Sequence, residues 1–204
     1  MIDTGYHCAL RQTAMSLPWF KNLVGFQLTD EEMRDIPYPY VEMYTHVIIK
    51  CAESFGLLGT LVVGPLVALG RSKTRTIAGI KSSACRCGKW GVMLSFIAGP
   101  VMTRSVLNVK QATPESVYDR CYRIRNNRGQ VRVDRGSAVG ALSGSALMLP
   151  MGGSPVMGAL VGMSVGIISM AVYNNAVLPS KKQWSHFNQS CCVSTEIVLI
   201  VKQE

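Results

Sequence analysis

Gly136-Ser137-Ala138-Val139-Gly140-Ala141-Leu142-Ser143-Gly144 and Gly158-Ala159-Leu160-Val161-Gly162-Met163-Ser164-Val165-Gly166 decide the reading of this chain. Both are GxxxGxxxG runs, and residues four apart share one face of a helix. Glycine at that spacing lets a second helix approach until backbones touch. This is how helices associate in lipid, where burying apolar surface gives little drive between them. Ser137, Ala141 and Ser145 widen the smooth strip on the first run, and Ala159 and Ser164 do so on the second. One GxxxG is weak; two triple repeats in adjacent segments are far more specific. Glycine enrichment at unconstrained lipid-facing positions is the competing reading.

The surroundings agree with a bilayer. From Gly136 to Ser180 there is no Lys, Arg, Asp or Glu. A soluble helix needs a polar face, and a chain of 204 residues offers no core large enough to hide such a stretch. Mean hydropathy is +0.21, and 16% of residues are charged against about 25% in soluble domains. The net charge of +9 comes mostly from two loops beside apolar segments. That pattern marks membrane orientation, not a nucleic-acid-binding face.

Working outward, four spans are expected in an all-α membrane protein. Span one covers about Tyr44 to Gly70, with Gly56, Gly59, Gly64 and Pro65 making it narrow and kinked. Lys50 and Glu53 lie in its first turns. They are expected to snorkel to the near interface or pair loosely, with a functional buried pair as the alternative. Loop one, Arg71 to Lys89, carries six cations and no acid. Span two, about Gly88 to Leu107, is interrupted at Gly99-Pro100. Loop two follows, with Thr113 capping a short helix through about Ile124 and Pro114 at its first position. Spans three (Gly136 to about Met151) and four (about Pro155 to Leu178) are joined so closely that they must form an antiparallel hairpin. The expected division is an interfacial or soluble extension over 1–44, a four-helix membrane domain over 45–179 and a tail over 180–204. In the extension, Thr29-Asp30-Glu31-Glu32 is a capping box, and Pro37 and Pro39 stop its helix. The tail is expected to carry a short strand over Ile197 to Val201.

Reactive chemistry is not expected. His7, His46 and His186 are far apart. Cys85-x-Cys87 has no second pair at zinc-site spacing and has Arg86 and Lys89 beside it. The seven cysteines, Cys191 and Cys192 included, read as free thiols. A small-molecule transporter would need more polar residues within its spans. No catalytic residue, metal or cofactor is therefore expected, and no nucleic acid or small-molecule substrate. The expected functional residues are Gly136, Gly140, Gly144, Gly158, Gly162 and Gly166 for helix packing. Arg71, Lys73, Arg75, Arg86 and Lys89 are the candidates to hold anionic lipid headgroups such as cardiolipin.

Tyr118-Asp119-Arg120, Arg123-Ile124-Arg125 and Asp134-Arg135-Gly136-Ser137-Ala138-Val139-Gly140 resemble a pattern of the mitochondrial inner-membrane translocase (Tim) family. There a basic stretch and an Asp lead into a glycine-rich third span. The resemblance covers roughly residues 45–178, and the chain departs from it at Arg128 to Val133, which looks like an insertion. It implies a four-span, Tim-like fold in the mitochondrial inner membrane, where the six cations of loop one would place that loop on the matrix side. The family includes subunits of protein-import translocases and an accessory membrane subunit of respiratory complex I. Import subunits are expected to place acids in a groove within the spans. Here Glu53 is the acid read as lying within a span, near an end, so the resemblance favours the structural complex I subunit, partnered by larger membrane subunits.

Overall fold

The computed structural model describes residues 17–24, 26, 28–71 and 75–178. Every regular element among the described residues is a helix, without a strand. Short helices α1 (Leu17–Val24) and α2 (Asp30–Arg34) precede α3 (Pro39–Gly70), α4 (Ile77–Val109), α5 (Pro114–Asn126), α6 (Arg128–Met148) and α7 (Pro155–Val177). Residues up to Ile167 form one compact unit, and Ile168 opens a second. The described part of that second unit is the continuing end of α7, which closes in a π turn over Tyr173–Val177. There Asn175 Nδ2 donates to the Ala171 carbonyl at 2.8 Å.

Among the described residues, α3, α4 and α7 are long and apolar enough to cross a membrane. At 1.5 Å per residue α4 is about 50 Å long, well beyond a hydrocarbon core of about 30 Å. Large apolar side chains face outward: Phe96 is 61% exposed and Ile97 66%, whereas Ser95 beside them is fully buried. Of the residues these helices bury, Ala68, Ala84, Thr60, Ser95, Thr103, Ser164 and glycines outnumber the larger Met43, His46, Glu53 and Leu160. A protein in water places its bulk the other way round. Large side chains outside and small ones inside suit a solvent of lipid tails.

Several boundaries differ from the sequence expectation. Pro39 opens α3 instead of only ending the helix before it, because proline at the first position gives up an amide the helix does not use. The division at residue 44 therefore falls inside a helix. Where the sequence predicts a kink in span one, α3 carries a π segment over Gly59–Val63, ahead of Pro65. Loop one is much shorter than expected: α4 starts at Ile77, where Thr76 Oγ1 accepts the Gly79 amide at 3.1 Å. Lys81, Arg86 and Lys89 thus stand on the outer face of a helix whose Ala84 and Gly88 turn inward. Helix α4 runs through Gly99-Pro100 without a break. The segment Arg128 to Val133, read as an insertion, is also helical, with the Asn127 side chain accepting the Gln130 amide at 3.2 Å.

Helix α6 fits the expected third span only in part. Arg128, Arg132, Asp134 and Arg135 lie in its opening turns, leaving Gly136–Met148 as its uncharged part. That length is about 20 Å. The turn to α7 is as tight as expected and uses Gly152 at φ 65, a left-handed conformation that glycine adopts without strain. The capping box is present, with Glu32 N to Thr29 Oγ1 at 3.2 Å and Thr29 N to Glu32 Oε2 at 3.0 Å. The α5 helix begins at Pro114 under Thr113 and runs two residues past Ile124 to Asn126. Cys8, Lys73, Cys191, Cys192 and the strand expected over Ile197–Val201 lie outside the described residues.

Candidate functional site: helix contacts and buried ion pairs

Glycine removes the Cβ, so the distance between two helices can be judged by what an added Cβ would strike. On Gly140 it would strike the Gly162 carbonyl, and on Gly144 the Gly158 carbonyl. The relation is reciprocal: Gly158 would strike Gly144, Gly162 would strike Gly140, and Gly166 would strike the Gly136 carbonyl. All six glycines singled out in the sequence therefore lie along one seam between α6 and α7. A flexible side-chain tip could move aside, but a helical carbonyl cannot without shifting its whole helix.

A second seam joins α3 to α4. A Cβ on Gly59 would lie 2.6 Å from the Cys87 carbonyl oxygen, and one on Gly99 2.7 Å from Ile48 Cγ1. Gly64 abuts the Ala84 backbone and Gly91 the Phe55 carbonyl. The sequence reading had Gly56, Gly59 and Gly64 only as sources of a narrow, kinked helix, and Gly99 as an interruption. Their partners on α4 are not evenly spaced, so no GxxxG repeat exposes them. Thr60 Oγ1 lies in this seam against Gly88, buried and without a hydrogen-bond partner among the described residues.

Lys50 and Glu53 do not snorkel. Glu53 is 6% exposed and Asp134 7%. Lys50 Nζ donates to Glu53 Oε2 at 2.7 Å and also pairs with Asp134 of α6. Ser137 Oγ donates toward Glu53 Oε1 at 2.5 Å and lies 2.8 Å from the Asp134 carbonyl oxygen. His46 Nδ1 stands 4.0 Å from Asp134 Oδ2. The first glycine of the α6 seam thus follows directly on an ion-pair cluster that ties α6 to α3. Sequence reading placed one acid at this depth; the structure brings two, because Asp134 and Lys50 are 84 positions apart and meet only when α6 packs on α3.

A second knot of buried charge lies at the end of the helices where α3 begins. The side chain of Arg125 has no exposed area. Its Nε donates to Glu42 Oε2 at 3.0 Å, and its Nη2 pairs with the other carboxylate oxygen. Nη1 donates to the carbonyls of Glu32 at 2.8 Å and Asp35 at 3.1 Å, filling the open C-terminus of α2. Cys121 Sγ lies 3.1 Å from the Pro39 carbonyl oxygen. Ile36, Met43, Val117 and Cys121 form the apolar core here. Burial pushes the Cys121 thiol up to about 11, with the Glu42 carboxylate adding to the effect. The described part of the N-terminal extension is therefore bound into this core through α2, and Asn22 of α1 donates to the Arg125 carbonyl at 3.1 Å.

Of the five cations expected to hold lipid headgroups, Lys73 lies outside the described residues, and the other four do not form one cluster. Arg75 Nε donates to the Leu69 carbonyl at 2.9 Å, closing the end of α3. Arg71 is exposed in the turn after α3. Arg86 and Lys89 line a groove on α4 together with Lys81, which the sequence reading counted in the loop but did not single out.

These features define, over the described residues, a helical protein with three helices apolar enough to cross a membrane, held together by backbone contacts at glycine and by buried ion pairs. The chain belongs to the family described as "Protein of unknown function (DUF1757)", whose model matches residues 19–173. That match takes in α3 to α6 and most of α7. A search of curated proteins found no match.

Proposed function

We propose that this chain is a non-catalytic, four-pass subunit of the mitochondrial inner membrane, with a Tim-like fold, which supplies packing surface to a larger hetero-oligomeric complex. The complex proposed is respiratory complex I. The observation that carries a packing role is the pair of glycine seams, α3 on α4 and α6 on α7, beneath an outer surface of large apolar side chains. In this reading α6 is the fourth membrane-crossing helix and its seam with α7 is a glycine zipper. Its short apolar part is completed at one end by the pairing of Asp134 with Lys50.

A subunit of an inner-membrane protein-import translocase is the second reading, favoured by the two acids, Glu53 and Asp134, near one end of the helices. Their burial and their shared cation support the structural role over an open acidic groove. Mild detergent extraction, a native gel and mass spectrometry of the band containing this chain test both. Migration with complex I subunits is expected. Migration with translocase components alone would favour the second reading, and an extramitochondrial location of the tagged chain would refute both.

A further inference from the structure

We propose that the groove between the first turns of α4 and the α6–α7 turn holds one anionic phospholipid, its phosphate among Lys81, Arg86 and Lys89 and an acyl chain along α7. The inference rests on the chain sitting in a bilayer, and not on which complex it joins.

The groove has a volume of about 760 Å³, within the range of small-molecule sites. Its α4 wall carries the three cations, and no carboxylate lines it. None of the three forms an ion pair with an acid among the described residues. Three unpaired like charges within about 12 Å of helix repel one another, and an anion between them relieves this. The opposite wall is apolar, with Met157 and Val161 of α7. Val161 follows Leu160, which packs on Gly88, and lies about 10 Å farther along the chain than Ser154 of the α6–α7 turn. The groove is thus cationic beside α4 and apolar along α7, as a headgroup joined to an acyl chain requires.

The depth agrees. Trp90 follows Lys89 directly and is 64% exposed, the position of an aromatic residue at the level of the headgroups. From Trp90 to Thr103 the helix carries no charge. The three cations therefore sit at and outside the edge of the hydrocarbon, where a lipid phosphate lies. A free phosphate would leave the apolar wall bare, and an acidic peptide would have to enter the bilayer edge.

The test is native mass spectrometry of the full chain, delipidated in detergent and titrated with phosphatidylglycerol or phosphatidylcholine of the same acyl chains. Phosphatidylglycerol should bind the wild type at one site, more tightly than phosphatidylcholine. The triple variant Lys81→Gln, Arg86→Gln, Lys89→Gln should lose about 100-fold in affinity, at roughly fivefold per cation near a surface. A charge-matched variant, Arg34→Gln, Arg104→Gln, Lys110→Gln, should bind as wild type. Val156→Trp keeps the cations but fills the groove, and should also weaken binding. Equal retention of the two lipids, or equal losses in the two triple variants, would overturn the site. Displacement of phosphatidylglycerol by inorganic phosphate at similar concentration would show a simple anion site and overturn the lipid assignment. A chain that binds phosphatidylglycerol as stated yet migrates outside complex I would refute the proposed function and leave this inference intact.

Discussion

Replacing Lys50 with methionine keeps most of the side chain's length and removes the charge shared by Glu53 and Asp134. Both carboxylates have 8% of their side-chain area exposed, and Lys50 has 25%. Removing one member of a buried pair costs about 3–5 kcal/mol, because the partner charge stays where water cannot reach it. Here one cation serves two carboxylates, which raises the cost, while its partial exposure lowers it. The lower bound of about 3 kcal/mol is therefore the expectation, equal to about a 100-fold change in the folding equilibrium. Glu53→Gln should be much milder. It leaves the Lys50–Asp134 pair intact, cancels the excess negative charge and keeps an acceptor for Ser137 Oγ. The triple variant Lys50→Met, Glu53→Gln, Asp134→Asn should recover much of the loss, since no charge remains to be buried. Denaturant titration in mild detergent, followed by a thiol-reactive fluorophore that reports exposure of Cys51 and Cys121, gives the order. A Lys50→Met variant within about 0.5 kcal/mol of wild type, the usual span for surface substitutions, would refute the buried cluster. So would equal losses in Lys50→Met and Glu53→Gln.

Gly162→Ala should destabilise by more than about 2 kcal/mol, since its Cβ meets the Gly140 carbonyl; Gly70→Ala, open on all sides, should be neutral or slightly stabilising. The same denaturant assay separates them, and equal effects would dissolve the α6–α7 seam. Arg125→Met strands Glu42 and uncaps α2, so it should cost about 3–5 kcal/mol and make the chain near α2 sensitive to limited proteolysis. Cys121, with its thiol raised to about 11 by burial, should react with maleimide far more slowly than Cys85 at pH 8. Its proton is also lost first from the unfolded chain, so stability should fall as pH rises from 9 toward 11. That fall should be shallower in Cys121→Ser.

Local signals were readable in the sequence because their partners are near in the chain. The capping box at Thr29 and Glu32, the Thr113-Pro114 helix start and the glycine spacing on α6 and α7 each depend on residues within a few turns. Charge was read less well. Cations over Arg71 to Lys89 look like a loop, yet helical spacing puts Lys81, Arg86 and Lys89 outside and Ala84 and Gly88 inside. Arg125 with Glu42 and Lys50 with Asp134 span 83 and 84 positions. A single sequence holds nothing that pairs such distant charges, so neither knot is legible in it: Lys50, Glu53, Arg125 and Asp134 stand out there for other reasons, and Glu42 does not stand out at all.

The Lys50–Asp134 pair also bears on how the proposed four-pass arrangement could form. Uncharged from Gly136 to Met148, α6 offers about 20 Å to a hydrocarbon core of about 30 Å. It is thus a poor membrane-crossing segment alone, whereas α3, α4 and α7 qualify by their own length and composition. What extends it is Asp134 docking on Lys50, with Ser137 on Glu53, so that Asp134 can lie at the hydrocarbon edge with its charge paired. The seam with α7 then holds the remaining length, carbonyl against glycine. On this reading α6 inserts only against a finished α3, and the ion-pair cluster is a condition of topology as much as of stability. A Lys50→Met chain should then leave the α6–α7 turn on the wrong side of the bilayer in a fraction of molecules. A membrane-impermeant thiol reagent and a cysteine placed at Ser154 would detect this. Uniform topology in a Lys50→Met chain that is otherwise destabilised would show that α6 crosses without help from α3.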